Sequence, residues 1–172
     1  MVHKRRSRRN YGYLFSATYD DNMAADAKSR KRWSPDFDEW MVDEKLQWYI
    51  KRNQVIAQTA VITFPFMRMV QIPDAGAAPY LRFVDELLSC DLDTAPDYKF
   101  RNPNAITNVC TVHSDLSGIT LSKFTLKTNS NGQKYYQLCF DMAMTIVDEV
   151  IKFELKYKGE SYGVVTTRFD EQ

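Results

Sequence analysis

Glycine is scarce, six in 172 residues. Loops that cradle phosphates depend on glycine, and neither Gly-x-Gly-x-x-Gly nor Gly-x-x-x-x-Gly-Lys occurs. Histidine is scarcer still, with only two, His3 and His113. Cys110 and His113 form half of a metal motif, but no second half follows, and on a strand the two would point to opposite faces. The same geometry argues against a Cys110–His113–Asp115 nucleophilic set. Paired carboxylates, Asp20/Asp21 and Asp148/Glu149, fall in turn-like places and read as solvated. No catalytic residue, metal or cofactor is therefore expected.

Three cysteines (Cys90, Cys110, Cys139) are an odd number without framework spacing, and no Asn-x-Ser/Thr acceptor occurs. Together these predict a reducing compartment, cytosol or nucleus. The longest apolar stretch, residues 60–67, is too short to span a bilayer as a helix. The polar, basic start has no apolar run behind it and is not expected to be a secretory signal.

What is present is charge asymmetry. The net charge is +1, yet residues 1–32 carry nine Lys/Arg against three Asp. The remaining residues are acidic, with fourteen Lys/Arg against nineteen Asp/Glu. Lys4, Arg5, Arg6, Arg8 and Arg9 form the densest basic run, and Lys28, Arg30, Lys31 and Arg32 form a second. Like charges so close favour an extended, solvated arm, and guanidinium forks suit phosphate oxygens. The candidate partners are nucleic acid or nucleoprotein, an anionic membrane surface, or the acidic groove of a nuclear import receptor. Tyr11, Tyr13, Phe15 and Tyr19 are apolar for a linker and are assigned to docking, on the body or in self-association, with base stacking as the alternative.

Periodicity predicts the body. Ser34-Pro35 reads as a helix start, with Phe37, Trp40 and Met41 on one face of a helix over 35–43. Residues 46–51 read as a strand, with a continuous helix through residue 52 as the alternative, and 54–64 read as a strand with Pro65 at a bulge, bend or edge. Pro79 opens a helix over 79–89, whose Tyr80, Phe83, Val84, Leu87 and Leu88 make an apolar stripe. An acidic loop, 91–104, precedes short strands at 105–113 and 119–127 and a hairpin signal at Asn131-Gly132. Tyr136, Leu138, Phe140, Met142, Met144 and Ile146 then alternate with polar or small residues. Ile151, Phe153, Leu155 and Tyr157 alternate with Lys152, Glu154, Lys156 and Lys158. A turn at Asp148-Glu149 joins these two runs, and a last strand covers 162–169. Met67 and Met69 read as core, or else as an adaptable exposed patch. The expected fold class is α+β: an antiparallel β-sheet meander packed against one main amphipathic helix, with a disordered basic N-terminal arm. The expected division is residues 1–33 as flexible arm and 34–172 as a single globular domain.

The order of these elements over residues 54–148, with an Arg-rich arm before it, resembles rhabdovirus matrix proteins, in particular the short matrix proteins of plant-infecting members. The resemblance implies a non-enzymatic viral structural protein of the virion and host cell that self-associates, condenses nucleocapsid through its basic arm and bridges it to the envelope. The Pro-Pro-x-Tyr budding motif of animal-infecting relatives is missing; Ala78-Pro79-Tyr80 and Ala95-Pro96-Asp97-Tyr98 do not match it. Two other readings stand beside it. One is a small icosahedral capsid protein, an Arg-rich packaging arm on a jelly roll. The other is a non-structural nucleic-acid-binding or nuclear adaptor protein, the basic arm doubling as a nuclear localisation signal.

Overall fold

The computed structural model describes residues 4–74, 76–147 and 150–168. Its elements are β1 (Lys4–Arg6), β2 (Asn10–Thr18), α1 (Ala25–Lys28), β3 (Arg32–Ser34), β4 (Glu39–Ile50), β5 (Val55–Ala57), β6 (Val61–Gln71), β7 (Arg82–Cys90), β8 (Thr107–Asp115), β9 (Thr125–Thr128), β10 (Lys134–Val147), β11 (Val150–Tyr157) and β12 (Glu160–Arg168). The protein is mostly β, with α1 the only α-helix among the described residues. This overturns the α+β expectation.

One sheet has the order β3-β4-β2-β7-β8. The second runs β12-β11-β10-β6, with β9 also on β10, and β1-β5 forms a two-stranded ribbon. All pairings are antiparallel. The two large sheets pack face to face around one core. Aromatic rings bridge them. Tyr13 of β2 meets Phe64 edge-on at 4.8 Å, Tyr49 of β4 meets Phe64 at 4.4 Å, and Phe83 of β7 stacks on Phe140 at 6.1 Å.

The alternation in β10 and β11 is the sequence-encoded half of this core. Leu138, Phe140, Met142, Met144, Ile146, Ile151, Phe153, Leu155 and Tyr157 are all buried, and Tyr136 packs against them. The Asn131-Gly132 hairpin forms, with Gly132 at φ 79° and Thr128 opposite Lys134. Pro65 sits within β6, an edge strand, where a missing N–H is tolerated. Met67 lies outward and 41% exposed beside half-buried Met69, so the core reading of this pair fails at Met67.

The expected helix over 79–89 is strand β7, paired with β8 from Arg82↔Asp115 to Ser89↔Thr107. A register shift between Leu87 and Leu88 buries both neighbours. Asp85 takes an inward position by pairing with Arg68. A bulge and an inward charge erase the two-residue period, and what remains imitates a helical stripe. Val84 is 60% exposed, not core. The helix over 35–43 is likewise absent. Ser34 Oγ does accept from the Phe37 N–H at 3.4 Å, but Asp38 at φ 58° reverses the chain into the β3–β4 hairpin. Asn129 Nδ2 braces that turn, donating to the carbonyls of Pro35 (2.7 Å) and Asp36 (2.8 Å).

The basic segment is not a disordered arm from residue 4 onward. Residues 4–6 are strand β1, and 10–18 run through the middle of a sheet as β2. Tyr13 of β2 is buried in the core, and backbone bonds from Ser7 to the 53–54 turn hold the run before it in place despite its like charges. The turn expected at Asp148-Glu149 lies outside the described residues.

Candidate nucleic-acid interface

β1 lies along β5 in the register Lys4↔Ala57 to Arg6↔Val55. The turn before β5 is tight: the Gln54 N–H donates to the Lys51 carbonyl at 3.0 Å, and Asn53 adopts φ 67°. Ser7 stitches the basic segment to this turn. Its N–H donates to the Gln54 carbonyl (2.9 Å), and its carbonyl accepts from the Asn53 N–H (2.7 Å).

Asn10 is the anchor, only 3% exposed. Its Nδ2 donates to the carbonyls of Cys90 (3.0 Å) and Leu92 (2.8 Å), while its Oδ1 accepts from the Arg52 N–H (2.9 Å). One amide thereby ties the start of β2, the turn after β4 and the end of β7. A buried amide with both ends satisfied fixes its neighbours, because breaking any of these bonds would leave an orphaned polar group.

This wiring gathers Lys4, Arg5, Arg6, Arg8, Arg9, Lys51 and Arg52 at one end of the molecule. Lys4, Arg6, Arg8 and Lys51 are exposed, and among the described residues none has a carboxylate within ion-pair distance. Arg6 Nη1 donates to the Asn53 carbonyl at 3.1 Å, and Arg9 Nη1 to Ser89 Oγ at 3.2 Å. Arg52 is the exception: it bonds the Asp91 carbonyl and lies 3.5 Å from Asp93. Tyr11 is half-buried beside this cluster. Burial raises its phenol pKa, and Arg9 and Arg5 pull it partly back, so it stays protonated at neutral pH.

The second predicted cluster sits elsewhere and is largely committed to internal contacts. Arg32 pairs with Asp43, its Nη2 2.7 Å from Oδ1. Arg30 lies 3.7 Å from Glu44 and 3.9 Å from the Phe100 ring centre. Lys31 Nζ sits 4.2 Å over Tyr19 and 4.8 Å over Trp40. Lys28 is exposed at the end of α1. These residues hold the 19–31 segment over the outer face of β4, where Ala27, Val42 and Tyr98 form a small second core. Of the aromatic candidates, Tyr13 is core, Tyr11 and Tyr19 are half-buried, and Phe15 is 40% exposed.

Sequence reasoning missed Lys51 and Arg52. Their signal was the end of the β4 alternation followed by Asn53-Gln54, which folds back beside the basic run. The pair Cys110 and His113 is divided by the strand: Cys110 is half-buried, its thiol pushed up to about 11 by burial, and His113 is exposed. Among the described residues, no group of three or more His, Cys, Asp or Glu side chains is placed to hold a metal ion. What the basic end can do chemically is present exposed cations on a braced ribbon to a phosphate backbone. Comparison with protein-family models, with curated proteins and with solved structures finds no match to this chain.

Proposed function

We propose that this protein is a non-enzymatic structural protein that packages nucleic acid, gripping the phosphate backbone through its basic ribbon. The observation that carries this reading is the convergence of two separate sequence segments, 4–9 and 51–52, on one end, where among the described residues Lys4, Arg6, Arg8 and Lys51 have no carboxylate within ion-pair distance. Contacts of this kind go to phosphates, so the binding is not sequence-specific. Of the two virion roles, coat subunit is preferred to matrix subunit. The chain is a two-sheet sandwich, a layer architecture that many coat proteins share, and this preference is an analogy of fold. The helix that carried the matrix resemblance is strand β7. The strand order is not that of a jelly roll, which interleaves early and late strands. Here one large sheet holds β2–β4, β7 and β8, and the other holds β6 and β9–β12.

The test is fluorescence anisotropy with labelled oligonucleotides, single- and double-stranded, across a salt series. Replacing Lys4, Arg8 and Lys51 by Gln should weaken binding equally for all sequences. It should also flatten the slope of log K against log salt by about 2–3, at roughly 0.7–0.9 for each phosphate the variant no longer neutralises. An unchanged slope refutes the ribbon as the binding site.

A further inference from the structure

The sheet β3-β4-β2-β7-β8 is split. β2 and β7 pair only through Asn10↔Cys90, Tyr11↔Ser89 and Gly12↔Leu88. Beyond that point residues 13–18 of β2 are bonded only to β4, and residues 82–87 of β7 only to β8. Two strand edges therefore face each other across a fork, with backbone groups that no ladder satisfies. A cavity of about 260 Å³ lies in it, lined by Tyr13, Leu14, Val84, Asp85 and Glu86. Its floor carries two orphaned polar atoms. Tyr13 is 3% exposed with its hydroxyl unbonded, and Asp85 Oδ2 has no partner although Oδ1 is held by Arg68. An unpaired strand edge is a template for an added strand, which would supply the missing ladder.

We propose that residues 4–9 of a second copy of this chain insert into the fork as an added strand, joining copies head to tail. Three observations select this occupant. Its first half, Lys4–Arg6, is already a strand, and the same ladder chemistry that holds it on β5, together with the two Ser7 bonds to the 53–54 turn, is what exchange would trade for pairing in the fork. Its length matches: residues 4–9 and the open edges 13–18 and 82–87 are six residues each, about 20 Å of strand. Its charge is complementary to exposed Glu86 in the fork and to exposed Asp20 and Asp21, just past the end of β2.

The basic segment leaves one end of β2 and the fork opens toward the other, so donor and acceptor surfaces differ. Such a heterologous contact propagates into a ring or a filament instead of stopping at a dimer. The proposal does not depend on the nucleic-acid reading, and its test contains no nucleic acid.

Size-exclusion chromatography with light scattering should show the wild-type mass rising with concentration at low salt. The mass should fall at about 0.5 M salt, where screening shortens the reach of each charge to roughly 4 Å. Lys4→Glu with Arg6→Glu, and separately Glu86→Lys, should each stay at single-copy mass while keeping the wild-type circular dichroism. Mixing the two variants should restore association, because the reversed charges match again. Hydrogen exchange should slow at residues 13–18 and 82–87 as concentration rises. Wild-type protein that stays at single-copy mass at low salt overturns the proposal. So does association that survives the charge reversals, a mixture that fails to re-associate, or exchange in the fork that does not depend on concentration.

Discussion

The Arg68–Asp85 pair offers a sharp test of how the two sheets are held together. Arg68 projects from β6 into the sandwich and meets Asp85 of β7. Its guanidinium lies 5.4 Å from the Phe66 ring centre and 5.7 Å from that of Phe83. The side chains keep 29% and 14% of their exposure, so the pair is more than half removed from water. Removing one partner of a fully buried pair costs about 3–5 kcal/mol, because the other charge is left unpaired. Partial solvent access lowers this, and Arg68→Met or Asp85→Leu alone should cost about 2–3 kcal/mol. The double variant removes both charges together and should cost at least about 2 kcal/mol less than the sum of the singles. In urea, with m about 2 kcal/mol/M for a chain of this size, each single variant should lower the midpoint by roughly 1–1.5 M. Additivity of the two singles within about 0.5 kcal/mol would refute the pair as an inter-sheet tie.

Three further outcomes follow from the structure. A Cβ on Gly12 would lie 2.0 Å from the Gln47 carbonyl oxygen, which is backbone and cannot swing away, so Gly12→Ala should cost more than about 3 kcal/mol. Gly118→Ala, with nothing within 4 Å of the new Cβ, should be nearly silent in the same melt. Asp43 is held below the usual carboxylate range by Arg32 and by the Ser16 hydroxyl. A lowered folded pKa contributes stability above the unfolded value of about 4 and loses it as pH falls through the folded value. Asp43→Asn should therefore flatten the fall in stability below about pH 4, read by denaturation at each pH, and an unchanged acid limb would refute it.

The C-terminal sheet was legible because its strands obey a single rule. In β10 and β11 each inward residue is apolar and most outward ones are polar, so alternation alone names the buried face. The other sheet hides its period. β7 carries a bulge and an inward aspartate, and both sets of cross-strand partners, Arg68 and β8, are distant in sequence. At residues 34–37 one hydrogen bond serves a helix start and a hairpin turn equally well, and only Asp38 and the bracing Asn129 decide between them. The basic run was visible as charge. Its order was not, because that order comes from Ser7 and Asn10 bonding to Asn53, Gln54, Cys90 and Leu92. The ends that gather Lys51 beside Arg8 are likewise joined by backbone contacts that no local pattern encodes.

The pairing of β6 with β10 has a consequence during synthesis. Gln71 waits for Tyr135, and Val61 for Thr145. At ribosomal speeds of roughly 5–20 residues per second, β6 is made several seconds or more before its partner exists. For that interval a β-branched, aromatic segment has no ladder to join, which is when a nascent chain is most prone to stick to its neighbours. Pro65 and Arg68 interrupt the segment, a ring that donates no hydrogen bond and a charge that resists dry stacking. The same two residues that look out of place in a sandwich strand are the kind that lower a segment's tendency to aggregate before its partner arrives.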